Sequence, residues 1–124
     1  MRYMMIVRGN ENFDRSGPPP AALMEAMDKL TRDAVASGKM VSMGGLRHTS
    51  EGARVRITGG KIVTTDGPFT EAKEVLGGFA IMELASKEEA IKEAEHFIEL
   101  HRKHWPGWEG ESEIRLMYEE GEHP

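Results

Sequence analysis

Cysteine is absent from the 124 residues, which excludes disulfides, thiolate nucleophiles, thiolate-held metals and thiol redox switching together. Long apolar runs are missing too. The opening Met1-Arg2-Tyr3-Met4-Met5-Ile6-Val7 meets Arg8 at once, and later apolar stretches are broken by charge within a few residues. None has the length of a signal-peptide core or a membrane span, so a cytoplasmic location is expected. Basic charge is in deficit: 16 Lys and Arg stand against 21 Asp and Glu, for a formal charge of -5. Affinity for nucleic acid comes from cations neutralising phosphates, and no basic stripe supplies them; an anionic membrane surface is disfavoured for the same reason. The expected partner is a small molecule or another protein. Also missing are GxSxG, a phosphate-binding glycine loop, a dinucleotide fingerprint, HExxH and any repeat of solenoid length.

What is present reads as one domain over residues 1–124, near the usual domain size. Tyr3 to Arg8 alternates as a strand, and Gly9 to Gly17 is a polar loop. Pro18-Pro19-Pro20 stiffens the entry to a helix in which Leu23, Met24, Met27, Leu30, Ala34 and Val35 recur at helical spacing, with Gly38 as its stop. Met40 to Met43 is a second strand. Arg54 to Thr58 and Lys61 to Thr65 flank Gly59-Gly60 as a hairpin, which pairs Ile57 with Ile62. Gly78 to Leu84 is a strand. Ser86-Lys87-Glu88-Glu89 is a capping box, and its helix buries Ala90, Ile91, Ala94, Phe97 and Ile98 and ends near His104, before Pro106-Gly107. Glu113 to Tyr118 is the last strand. With the hairpin set aside, the order is βαββαβ: a ferredoxin-like α+β fold with an inserted β-hairpin, an antiparallel sheet and both helices on one face.

The open face of such a sheet should be polar in a monomer, yet Tyr3, Met5 and Val7 oppose an equally apolar Met4 and Ile6. Likewise Phe79 and Ile81 oppose Ala80, Met82 and Leu84. An apolar second face calls for a cover. A second copy of the chain, giving a homodimer, is the simplest; the inserted hairpin folding over the face is the alternative.

Asp66-Gly67-Pro68-Phe69, followed by Glu71, Lys73-Glu74 and Gly77-Gly78 leading into a strand, resembles the YCII-related proteins of the DGPF type. The opening Met1-Arg2-Tyr3-Met4-Met5 and Glu113-Ile114-Arg115 extend the resemblance over nearly the whole chain. It implies a ferredoxin-like subunit that dimerises into an α+β barrel, and no single reaction. Some relatives are suggested to be small-molecule enzymes acting through an acidic residue and a histidine; others occur beside, or fused to, alternative sigma factors. The first helix here carries no histidine, so a helix-borne His–Asp pair does not transfer.

Asp66 is the candidate catalytic residue. It is either an acid, base or ligand anchor in a cleft, or a turn residue accepting from backbone N–H groups two residues on. Glu71 and Lys73, on a short helical turn with Glu74, are ligand-binding candidates; the turn's three charges are otherwise a solvated face. Glu113 and Arg115 share one side of the last strand, as a buried ion pair or a clamp for an anionic ligand group. His96, His101 and His104 with Glu99 lack the spacing of a compact metal site, so neither metal nor cofactor is expected. Trp105 and Trp108 pack the loop after the second helix, or cover a cleft. His48 belongs to a surface loop. The functions left open are cofactor-free acid/base chemistry near Asp66 and a non-catalytic binding or regulatory module.

Overall fold

The computed structural model describes residues 1–10, 17–69 and 74–124. The elements in chain order are β1 (Arg2–Asn10), α1 (Ala21–Ala36), β2 (Met40–Gly45), a single 3-10 turn (Thr49–Glu51), β3 (Ala53–Thr58), β4 (Lys61–Asp66), β5 (Glu74–Glu83), α2 (Lys87–His104) and β6 (Gly110–Leu116). Four strands make one antiparallel sheet in the order β2-β5-β1-β6, and β3 and β4 form a separate two-stranded sheet. This is the ferredoxin-like order with the hairpin inserted between β2 and β5.

Sheet register decides which side chains meet the helices. Tyr3 pairs with Met82 and Leu116, Met5 with Ala80 and Ile114, and Met40 with Met82. These rows face both helices: Tyr3, Met5, Met82 and Leu84 form one buried cluster with Ala34 of α1 and Ala90 of α2. The opposite rows join Met4 to Ile81 and Arg115, and Ile6 to Phe79 and Glu113. The outer face is therefore apolar at its centre, as the strand patterns indicate.

The helix ends follow local chemistry. α1 starts after Pro20, whose carbonyl accepts from the N–H groups of Leu23 and Met24 at 3.0 and 3.1 Å. It stops where Gly38 takes φ +76°, a left-handed conformation that costs glycine little. At α2 the Ser86 hydroxyl accepts from the Glu89 N–H at 3.1 Å, while the Glu89 carboxylate reaches the Ala85 N–H at 2.9 Å. The capping box is thus shifted by one residue on its return bond, since an extended Ser86 leaves the Ala85 N–H within reach.

Several expectations need correction. β5 starts at Glu74, four residues early, so Gly77-Gly78 lie inside the strand and Glu74 is extended rather than helical. β6 spans Gly110–Leu116, shifted toward the N-terminus. Met24, Val35 and Ile91 lie on apolar stripes yet are exposed. The hairpin does not fold over the sheet: every residue of β3 and β4 is exposed, with Val55, Ile57 and Ile62 at 68%, 72% and 76%. Ile57 pairs with Ile62 as the Gly59-Gly60 turn requires. The expected polar loop falls largely on residues 11–16, and Glu71 and Lys73 on residues 70–73, all outside the described residues.

Candidate functional site

α1 and α2 do not close tightly on the sheet along its whole length. Between them lies a cavity of about 710 Å³, lined by α1 (Met24, Met27, Leu30, Thr31), β2 and the residues after it (Met40, Met43, Leu46, His48), the helix-side row of the sheet (Met5, Ala80, Met82) and α2 with its following loop (Ala94, Phe97, His101, Trp105, Trp108). That volume is typical of small-molecule sites. Six of the chain's nine methionines line it. Thioethers on unbranched chains are soft and adaptable, and make favourable contacts with aromatic rings.

His101 is the one buried polar side chain among the described residues, at 5% exposure. It occupies the position that continues the stripe of Ala90, Ala94 and Phe97, so helical periodicity turns it inward. Its ring lies between Phe97 and Trp108, with centroid separations of 4.5 and 4.4 Å. Trp105 and Trp108 stack at 6.4 Å across a turn in which Gly107 takes φ +84°. The two indoles therefore both pack the loop and wall the cavity.

The histidine's tautomer follows from its neighbours. Nδ1 lies 2.8 Å from the Phe97 carbonyl oxygen. A carbonyl only accepts, so Nδ1 carries the hydrogen and donates it. Burial lowers the ring's pKa below the ordinary histidine value, outweighing the opposite pull of that hydrogen bond. A neutral ring with Nδ1–H leaves Nε2 as a bare acceptor. His48 is set the other way: its Nδ1 accepts from the Ser50 N–H at 3.0 Å, which places the hydrogen of a neutral His48 ring on Nε2.

Asp66 ends β4, is exposed, and does not line the cavity. Its carboxylate has no hydrogen-bond partner among the described residues, and the residue two positions on is Pro68, which has no N–H to offer. The bend is held by backbone instead. The Gly67 N–H donates to the Gly52 carbonyl at 2.9 Å, and the Phe69 N–H to the Thr49 hydroxyl at 3.3 Å. A Cβ at Gly67 would overlap the Thr49 carbonyl, so this glycine serves close backbone approach. Phe69 lies beneath the Arg54 guanidinium, 3.9 Å from its ring centre.

Glu113 and Arg115 sit on the outer face and pair at 3.3 Å, with Glu113 also 3.4 Å from Arg8. The pair is an ion pair but not a buried one, since the Arg115 side chain is 69% exposed. His96 is exposed while His101 is buried, so the histidines of α2 do not converge. Among the described residues no three His, Asp or Glu side chains come together as a metal site, and no helix is long and apolar enough to cross a membrane.

Fold and site define a ferredoxin-like α+β domain with a ligand-sized apolar cavity between its helices and its sheet. The chain belongs to the YCII-related domain family, whose model matches residues 1–97. His101, Trp105 and Trp108 lie beyond the matched residues. The chain is also 35% identical over 69 residues to an uncharacterised protein of Rhizobium meliloti (strain 1021). That alignment covers 56% of each chain, so this one spans about half the length of the curated relative it matches.

Proposed function

We propose that this protein takes a small, largely apolar molecule into the cavity between α1, α2 and the sheet, and that His101 is the site's proton-accepting group. The observation that carries this reading is a methionine-walled cavity of about 710 Å³ whose lining includes His101, the one buried polar side chain among the described residues. A neutral imidazole in an apolar site suits cofactor-free acid/base chemistry, because its hydrogen-free nitrogen can accept a proton. On this reading the acid/base role expected of Asp66 moves to His101; Asp66, Glu113 and Arg115 all lie away from the cavity, and Glu71 and Lys73 would act only from the segment 70–73. Both tryptophans line the site and report on it. Titration with small aromatic compounds should change tryptophan emission saturably, and Thr31→Trp, which fills the space, should abolish the change. Emission that no compound alters, in a protein that still unfolds cooperatively, would overturn the reading.

A second reading concerns assembly. The apolar outer rows Met4–Ile81 and Ile6–Phe79, together with the bare Val55, Ile57 and Ile62 of the hairpin, favour a homodimer closed over the sheet face. The DGPF segment at Asp66–Phe69 favours the same, through the dimeric barrel its resemblance implies. Sedimentation equilibrium at micromolar concentration should give about twice the chain mass, and a monomer would remove the barrel. A monomer would leave the hairpin strip for a different protein, the regulatory alternative in which a partner such as a sigma factor docks there.

A further inference from the structure

The cavity walls say that the ligand is apolar; the one buried polar side chain among the described residues that lines them says more. His101 donates from Nδ1 to the Phe97 carbonyl at 2.8 Å, so Nε2 of the neutral ring has a lone pair and no hydrogen. No partner for that nitrogen is found among the described residues, while the ring itself is 5% exposed and lines the cavity. An acceptor on the cavity wall with no protein donor is open to a ligand that supplies one, and apolar surroundings raise the value of that bond. The surroundings narrow the donor further. Phe97 and Trp108 flank the imidazole at 4.5 and 4.4 Å, so a ligand reaching Nε2 lies against aromatic faces and thioethers, which favour an aromatic ring.

We infer that the cavity is built for an aromatic hydroxyl compound, a phenol or ring enol, whose O–H donates to Nε2 of His101 while its ring packs among Trp108, Phe97 and the methionines. The inference rests on the cavity being the ligand site. The hydroxyl's hydrogen bond polarises its O–H toward the imidazole. If the proton crosses, the O–H bond breaks, an Nε2–H bond forms, and the negative charge stays on the ligand oxygen, paired with imidazolium. Protonation of His101 from solvent removes the acceptor, so recognition of the hydroxyl must fade as pH falls. The other charged or titratable groups lining the cavity are Asp28 of α1, Glu93 of α2, and Arg47 and His48 after β2. Glu93 is tied to Lys39 at 3.7 Å and Arg47 to Glu51 at 2.8 Å. None of them removes a lone pair from Nε2.

The test compares 2-naphthol with its methyl ether, which matches its ring but has no O–H, by calorimetry on the full chain. At pH 8 the naphthol should bind about tenfold more tightly than the ether, the weight of one well-made hydrogen bond. That preference should weaken steadily as pH is lowered from 8 in the same protein, and should collapse toward unity at pH 8 in His101→Phe, which keeps a ring between Phe97 and Trp108. The pH series needs no variant, so it decides the matter even if His101→Phe fails to fold. Equal binding of both compounds at pH 8 would sink the hydroxyl recognition and leave the cavity reading standing. Binding of neither compound would count against the cavity itself, and the inference would fall with it.

Discussion

The helix layer packs one end of the sheet and leaves the other hollow. At the packed end Leu84, Tyr3 and Ala90 are 3% exposed or less, and small alanines let α2 lie close on the strands. At the hollow end Met43 and Leu46, at 46% and 50%, reach an empty volume instead of a partner. Both ends are made from apolar residues at the same periodicity. The difference is in shape: Ala90 and a β-strand terminus at one end, the flexible Met24, Met27 and Met43 beside Gly44-Gly45 at the other. A core is completed by complementary volumes, and apolar pattern alone does not supply them.

The strongest way to break this contrast is to truncate each end in turn. Leu84→Ala should cost about 2–4 kcal/mol, since it opens a void in close packing. Leu30→Ala, on the cavity wall, should cost about 1 kcal/mol or less, because its neighbours already face empty space. Urea unfolding of the two variants measures both, and equal losses would mean that the two ends are packed alike. Next in size, Gly67→Ala should cost about 1–3 kcal/mol, as the new methyl meets the Thr49 carbonyl and the backbone must give way. Thermal melts should show it, and an unchanged midpoint would mean that the hairpin root is looser than drawn.

The hollow end also carries a titration. Burial lowers the pKa of His101, so the unfolded chain binds the proton more readily than the folded one. Stability is then full above the ordinary histidine value of about 6.5 and declines as pH falls toward the folded-state value. His101→Phe should flatten this limb of the stability–pH curve, measured by urea midpoints between pH 8 and 5. A limb of the opposite sign would mean that the buried ring is held protonated. The smallest effect is expected far from both ends: Asp66→Asn should shift stability by less than about 0.5 kcal/mol, as substitutions at exposed positions do. A larger loss in denaturant melts would return Asp66 to the turn-bracing role.

Most of the architecture was legible in local signals. Gly59-Gly60 set the hairpin register, Gly38 the end of α1, and Ser86 with Glu89 the start of α2. The beginning of β5 was not, because Gly77-Gly78 reads as a breaker. Inside the sheet that pair is instead a close approach: a Cβ on Gly78 would lie 2.9 Å from the Gly44 carbonyl, a contact that only the assembled strands create. The candidate site was half visible. Weighing the histidines of α2 by metal-ligand spacing hid the simpler signal, that His101 continues the Ala90–Ala94–Phe97 stripe while His96 lies off it. Asp66 drew attention through its motif, but the constraint there is steric and belongs to Gly67, which a one-letter reading treats as plain turn chemistry. The cavity itself had no signature, since a missing volume is a property of the packed whole.

The close approach at Gly67 has a consequence for how the chain can be cut and rejoined. Gly52 and Gly67 are already bonded through their backbones at 2.9 Å, so the 53–66 hairpin leaves and re-enters the body through a single narrow doorway. Its ends meet whether or not the hairpin is there. The insert behaves as a cassette, and a short turn or a foreign loop grafted onto the same two posts would close with little entropic penalty. The sheet, the cavity and His101 would then remain as they are, and the apolar strip could be exchanged without touching the pocket.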